Sequence, residues 1–84
     1  KKTSKNYTMN EFINFFAEIF DDTALDLFKP DTEYRHLDEW SSLHAMALDN
    51  MVEMNYSISL KADEIELTQT IQDLFELIQS KKTE

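Results

Sequence analysis

The 84-residue chain contains no cysteine, no glycine and a single proline. Without cysteine it can form neither a disulfide nor a thiolate metal site, which is in keeping with a reducing compartment. Because the usual breakers of secondary structure are so scarce, helix boundaries must be predicted from periodicity and capping residues. A single domain of this length has a modest core and little room for a deep, enclosed active site.

Positive charge is also scarce, and the net charge of the chain is −9. Residues 6–80 hold three cations against sixteen Asp and Glu, a net charge of −13. Such a body repels the phosphates of nucleic acids and attracts basic protein surfaces. No apolar run approaches the roughly 20 residues that cross a membrane, and no signal-peptide pattern opens the chain. We therefore expect a cytoplasmic protein that neither binds nucleic acid nor inserts into a membrane.

Apolar residues spaced three and four apart predict helices over residues 8–20, 42–55 and 61–67, with a last helix that begins at Thr70 and ends before Lys81. These elements predict an all-α fold, a small four-helix bundle of three main helices and one short helix, with a long loop between helices 1 and 2. The expected division is a flexible tail at 1–7, a single domain at 8–80 and a second tail at 81–84.

Capping residues and the long loop complete this prediction. A capping box is expected where Thr8 precedes Glu11, and Thr70, followed by Asp73, is expected to cap the last helix. Asn55 is expected to take the left-handed conformation that glycine usually takes after a helix. Residues 21–40 have no sustained period, so a loop is predicted there. Its expected anchors are Leu25, Phe28 and Leu37.

The second predicted helix carries apolar residues on two faces. The expected core face consists of Ala45, Leu48, Val52 and Tyr56. A second stripe consists of Leu43, Ala47 and Met54, with Met46 at its edge. Two interpretations follow, because the helix is either buried on all sides or leaves the second stripe exposed as a docking surface. In the second interpretation Asp49 and Glu53 form a charged rim.

Two adjacent serines, Ser41 and Ser42, open this helix, and a serine in that place is usually an N-cap. A nucleophilic serine needs a base within hydrogen-bond reach. His44 is expected on another side of the helix from Ser42. His36, in the loop, can approach Ser42 and suggests a small hydrolase, but no Gly-x-Ser-x-Gly turn is present. Neither metal-ligand spacing nor a catalytic constellation is evident, so no enzyme activity is expected.

The stretch EWSSLHAMAL (residues 39–48) resembles a motif of the acyl carrier protein family. In that family an acid-Ser-Leu motif, sometimes preceded by Trp, starts the second helix. MVEMNYSI (51–58) is similar to the acidic run of the family that ends in an aromatic residue, and TQTIQDLFELI (68–78) resembles its last helix. The resemblance covers residues 8–80 and includes helix order, loop length, charge and motif position.

This resemblance implies that Ser42 carries 4'-phosphopantetheine, which a phosphopantetheinyl transferase with its own Mg²⁺ transfers from coenzyme A. The arm ends in a thiol that would hold acyl or aminoacyl groups as thioesters for partner enzymes with basic docking patches. Fatty acyl, polyketide, D-alanyl and aminoacyl cargo all fit, and a monomer is expected. The implied partner-binding residues are Trp40, Ser41, Leu43, Met46, Ala47, Asp49 and Glu53.

One residue departs from the family motif, because Ser41 stands where an acid is expected before the modified serine. A serine can cap the helix but cannot form the ionic contact that an acid offers to a basic partner. Asp38 and Glu39, just upstream, are the candidates for that contact. The alternative function is an unmodified helical interaction module that uses the Leu43, Met46 and Met54 face.

Overall fold

The computed structural model describes residues 8–82, and these form an all-α fold as predicted. The four helices are α1 (Met9–Ala17), α2 (Ser42–Tyr56), α3 (Ala62–Leu67) and α4 (Ile71–Lys82). Two single 3₁₀ turns, Leu25–Leu27 and Tyr34–His36, lie in the long loop between α1 and α2. The tail predicted at residues 1–7 lies outside the described residues. No helix within 8–82 is both long enough and apolar enough to cross a membrane.

Helix α1 begins where its capping residue predicts and ends earlier than expected. The Thr8 side chain accepts a hydrogen bond from the Glu11 amide at 3.2 Å. The prediction extended this helix to residue 20, but its last regular residue is Ala17. Beyond it the amides of Ile19 and Phe20 bond to carbonyls three residues back, which tightens the chain into a 3₁₀-type turn.

The core of the bundle is rich in aromatic side chains that come from α1, the long loop and the later helices. Phe12 lies 6.0 Å from the ring of Tyr56 and 5.5 Å from that of Phe75. The predicted core residues of α4 are at its centre, since Ile71, Leu74 and Ile78 are fully or almost fully buried. Phe75, the fourth of them, is half-buried.

The long loop is anchored by different residues from those expected. Phe28 is buried as predicted and Leu37 is half-buried, but Leu25 is 59% exposed, so its predicted role was wrong. The 3₁₀ turn at Leu25–Leu27 directs its leucines outward and the following phenylalanine inward. Tyr34, absent from the prediction, is fully buried and its hydroxyl lies 2.5 Å from the Thr68 hydroxyl. This contact ties the loop to the end of α3.

Helix α2 ends one residue later than predicted, and the left-handed residue is not Asn55. The helix continues through Tyr56, whose ring is buried in the core, so the break falls at the next position. Ser57 adopts φ 58° and donates its amide to the Glu53 carbonyl. Asn55 is helical and its side chain donates to the Met51 carbonyl.

The left-handed Ser57 leads to a first stability prediction. Ser57→Gly is expected to raise the free energy of unfolding by roughly 0.5–1 kcal/mol, because glycine takes this conformation without a Cβ clash. Urea denaturation measures the change. Ser59→Gly is the matched control and should lower stability, since Ser59 has negative φ and glycine only adds freedom to the unfolded chain. Equal losses in both variants would contradict the prediction.

The last two helices each begin one residue later than predicted, at Ala62 and Ile71, and α4 extends further than expected. Asp73 and Thr70 exchange reciprocal hydrogen bonds between side chains and amides at 3.0 and 3.2 Å, which confirms Thr70 as the cap. Lys81 and Lys82 were expected in a tail but form the final turn of α4, where positive charge is favourable. The Lys81 ammonium also pairs with Glu64 of α3 at 2.7 Å. Residues 83–84 lie outside the described residues.

Candidate functional site

The candidate site lies where the long loop meets the first turn of α2. Trp40, the last aromatic residue before the serines, is half-buried. Its ring lies 5.2 Å from that of Tyr34 in an edge-on arrangement and 6.2 Å from that of Phe20. Its amide donates to the Leu37 carbonyl at 3.0 Å. The loop core therefore fixes the point from which α2 starts.

The two serines occupy different environments. Ser41 is the N-cap by backbone conformation, as predicted, with φ −150° and ψ 176°. Its hydroxyl does not cap a helix amide and instead lies 2.8 Å from Nδ1 of His44. Ser42 is the first helical residue and is exposed. Within residues 8–82 nothing accepts a hydrogen bond from the amides of Ser42 and Leu43.

Both serines line a cleft of about 420 Å³ between the start of α2 and α3. Its walls are largely apolar, as is usual for sites that take small molecules or flexible groups. Arg35 lies at its edge, where its guanidinium donates to the Thr68 carbonyl at 2.6 Å and so stays fixed. The lining residues are Arg35, Trp40, Ser41, Ser42, Ala45, Ala62, Ile65 and Glu66.

Glu39 fastens the beginning of the long loop to the start of α2. Its carboxylate accepts hydrogen bonds from the amides of Asp21 and Asp22, at 2.8 and 3.0 Å, and from the Thr23 hydroxyl at 2.7 Å. These bonds, above all that from Thr23, lower the pKa of Glu39 to about 2. Because Glu39 is engaged internally, Asp38, which is exposed, is the better placed of the two acids to meet a partner.

The outward face of α2 carries exposed apolar side chains. Leu43 is 73% exposed, Met46 68% and Met54 75%. The interpretation of α2 as a helix buried on all sides is therefore wrong. The inner face agrees largely with the prediction, since Leu48, Val52 and Tyr56 are buried; Met51 is buried as well, and Ala45 is half-buried.

The remaining residues of the predicted docking surface differ in exposure. Glu53 is exposed, whereas Asp49 is half-buried and its carboxylate accepts from the Leu60 amide at 3.0 Å. Asp49 therefore holds the linker after α2 in addition to lying on the rim. Ala47 is half-buried and, with Leu43, lines a shallow depression on the surface.

The two histidines are placed differently from what the sequence suggested. His36 is not among the residues that line the cleft at Ser42, and its Nδ1 pairs with Glu33 at 3.0 Å. His44 contacts Ser41, a pairing that the sequence did not predict because a base was considered only for Ser42. The spacing of three residues was the available signal, since such side chains are neighbours at a helix start. Nowhere in residues 8–82 do three or more potential ligands gather around a metal position.

A comparison of the chain with protein-family models, with curated proteins and with solved structures finds no match in any of the three. What points to a function is therefore the chemistry of the site together with the motif resemblance.

Proposed function

We propose that the protein is a carrier that holds acyl or aminoacyl groups as thioesters on a 4'-phosphopantetheine arm attached to Ser42. The observation that supports it best is the placement of Ser42, which opens α2 with an exposed side chain beside an apolar cleft. This placement agrees with the resemblance of Trp40, Ser42 and Leu43 to the motif of acyl carrier proteins.

The surroundings of Ser42 fit the attachment of a phosphate. Its hydroxyl makes no hydrogen bond with residues 8–82, so a transferase meets no competing partner there. The free amides of Ser42 and Leu43 lie at the positive end of the α2 dipole, which favours a negative group. When bound, the arm supplies the thiol that this cysteine-free chain lacks.

The cleft beside Ser42 fits the organic part of such an arm. Trp40, Ala45 and Ile65 give it apolar walls against which methylene and methyl groups can pack. Arg35 and Glu66 at its edge offer polar groups to the amides of the arm. The residues of this chain would thus bind and orient the arm, while the reactions of the thioester belong to partner enzymes.

The exposed face of α2 supports docking of those partners. Leu43, Met46 and Met54 offer apolar contact area beside Ser42, and methionine side chains adapt to different surfaces. Trp40, Ser41, Ala47, Asp49 and Glu53 complete the proposed surface. Since the chain is strongly acidic, we expect partners with basic patches, including a phosphopantetheinyl transferase and acyl-loading enzymes.

Intact mass measurement tests this proposal. The purified protein is incubated with coenzyme A, Mg²⁺ and a promiscuous phosphopantetheinyl transferase, and its mass is compared before and after. The wild type should gain the mass of one phosphopantetheine, and Ser42→Ala should gain nothing. Ser41→Ala is the matched control, with the same chemical change one residue away, and should still be loaded.

Two outcomes would overturn the proposal. One is a wild-type protein that remains at its original mass under conditions that load a known carrier. The other is a full mass gain in Ser42→Ala. A gain that is lost only in Ser41→Ala would overturn the assignment of the attachment site to Ser42.

The second candidate function is an unmodified interaction module. The observation in its favour is the exposure of Leu43, Met46 and Met54 on one helix, because apolar patches of this kind mark interaction sites. This function predicts no mass gain and partner binding that is unchanged in Ser42→Ala. Met46→Glu should then abolish the binding, which separates the two functions.

A further inference from the structure

We propose that Ser41, His44 and Glu39 form an acyl-transfer site that hydrolyses small activated esters and thioesters. Ser41 would be the nucleophile, His44 the general base, and Glu39 the positioning residue behind it. The proposal does not rest on the carrier function, and the activity needs no group attached to Ser42.

The three side chains form a chain of contacts in which His44 lies between Ser41 and Glu39. The Ser41 hydroxyl lies 2.8 Å from Nδ1 of His44. On the other side of the imidazole, Nε2 lies 3.5 Å from a carboxylate oxygen of Glu39. A nucleophile within hydrogen-bond reach of a base, with the base oriented by a third group, is the arrangement that activates serine.

The carboxylate determines which nitrogen of His44 carries the proton. Glu39 is ionised at neutral pH, which lies far above its pKa of about 2; hydrogen bonds from Thr23, Asp21 and Asp22 lower this pKa from the ordinary 4.5. An ionised carboxylate accepts and does not donate, so the neutral imidazole of His44 should carry its proton on Nε2. In this tautomer the lone pair of Nδ1 faces the Ser41 hydroxyl, as a general base requires.

The imidazole is held in place by aromatic neighbours. Its ring stacks on Phe20 at a centroid distance of 4.7 Å and an interplanar angle of 28°. Trp40 lies 6.1 Å away, and the His44 side chain is only 16% exposed. The base is therefore preorganised, whereas Ser41 is exposed and accessible to a substrate.

Two backbone amides are available for the charge that develops during acyl transfer. The amides of Ser42 and Leu43, in the first turn of the same helix, have no acceptor within residues 8–82. Donors at a helix start can stabilise the oxyanion of a tetrahedral intermediate. The cleft beside Ser41 is open and apolar, which suits short acyl chains.

The reaction has two balanced steps. First, the Ser41 oxygen attacks the acyl carbon and its proton passes to Nδ1 of His44. The bond between that carbon and the leaving oxygen or sulfur breaks, and the leaving group takes the proton as an alcohol or thiol. Water then attacks the Ser41 ester and gives its proton to Nδ1. The serine oxygen leaves and recovers this proton, and a carboxylic acid is released.

Hydrolysis of p-nitrophenyl acetate by the purified chain tests this proposal. Protein without an arm is used, so a failure here does not affect the carrier function. Because a positioned base contributes about 10²–10⁴-fold, Ser41→Ala and His44→Gln should each lower the rate at least tenfold. His36→Gln is the matched control for unspecific hydrolysis by an exposed imidazole and should leave the rate unchanged.

Two further measurements identify the residues directly. A fluorophosphonate probe should label Ser41, as mapped by peptide mass spectrometry. In ¹⁵N NMR, His44 should show a protonated Nε2, and Glu39→Gln should shift the tautomer populations and slow hydrolysis several-fold. An unchanged rate in Ser41→Ala, a label on another residue, or a His44 that is protonated on Nδ1 would each overturn the proposal.

Discussion

Replacing Phe16 with alanine is expected to remove a large part of the free energy of unfolding at 25 °C. Phe16 is fully buried, and its ring contacts four others at centroid distances between 5.3 and 6.0 Å. The four are Phe12, Phe20, Phe28 and Tyr34. Loss of a buried phenylalanine costs about 3–5 kcal/mol, and a domain of this size has roughly 4–12 kcal/mol in total.

Urea denaturation followed by the fluorescence of Trp40 measures this effect, since the chain has a single tryptophan. Phe15→Ala is the matched control, with the same chemical change one residue earlier in α1. Phe15 is half-buried, and its one aromatic neighbour within residues 8–82 is Tyr56, which it meets edge-on at 6.1 Å, so a loss of about 1–2 kcal/mol is expected. Equal losses in the two variants would contradict the assignment of Phe16 to the centre of the core.

This core also positions the candidate site. The Phe16 ring packs on Tyr34 and Phe20, and both of these pack on Trp40. Trp40 is followed directly by the two serines. The aromatic cluster therefore connects α1 to the start of α2 through the long loop, and weakening it should loosen the site together with the fold.

Local patterns in the sequence predicted the helices well. The N-terminal caps of α1 and α4 join residues three apart, Thr8 with Glu11 and Thr70 with Asp73, and such contacts can be predicted from spacing alone. The second stripe of α2 was also visible in the periodicity. The exposure of this stripe could not be predicted from periodicity, because it depends on whether another element covers the stripe. Within residues 8–82 no element does.

The long loop was the least predictable part of the chain, because its contacts join residues far apart in sequence. Tyr34 reaches Thr68, which is 34 residues away, and Glu39 reaches back to residues 21–23. Such pairs cannot be predicted from the periodicity of the sequence. The prediction of a left-handed Asn55 was wrong for a related reason, since burial of Tyr56 in the core determined where α2 ends.

Glu39 should make the stability of the protein depend on pH in the acid range. The pKa of its carboxyl falls from an ordinary 4.5 to about 2 in the folded protein, so folding favours the ionised form. The corresponding stabilisation is fully present above about pH 5 and is lost as the pH falls through 4.5 towards 2. We expect the thermal midpoint of wild-type protein to decrease steadily over that range.

Glu39→Gln should be less stable than wild type at pH 7 and should show a shallower decrease with acid. Some decrease should persist, because hydrogen bonds also lower the pKa values of Glu64 and Asp73. Thermal unfolding followed by circular dichroism from pH 7 to pH 2 measures both effects. Glu53→Gln, which removes an exposed carboxylate of α2, is the control and should keep the wild-type slope.

The cause of this pKa shift can be tested separately with Thr23→Val, which keeps the shape of the side chain and removes its hydroxyl. The Thr23 hydroxyl makes the hydrogen bond that lowers the Glu39 pKa most, so the variant should raise that pKa towards 4.5. A ¹³C NMR titration of the Glu39 carboxyl follows it directly. If the pKa in wild type lay near 4.5, or did not respond to Thr23→Val, Glu39 would not fasten the loop to α2. The position of Glu39 beside His44 would then lose its support as well, because the same hydrogen bonds hold the carboxylate there.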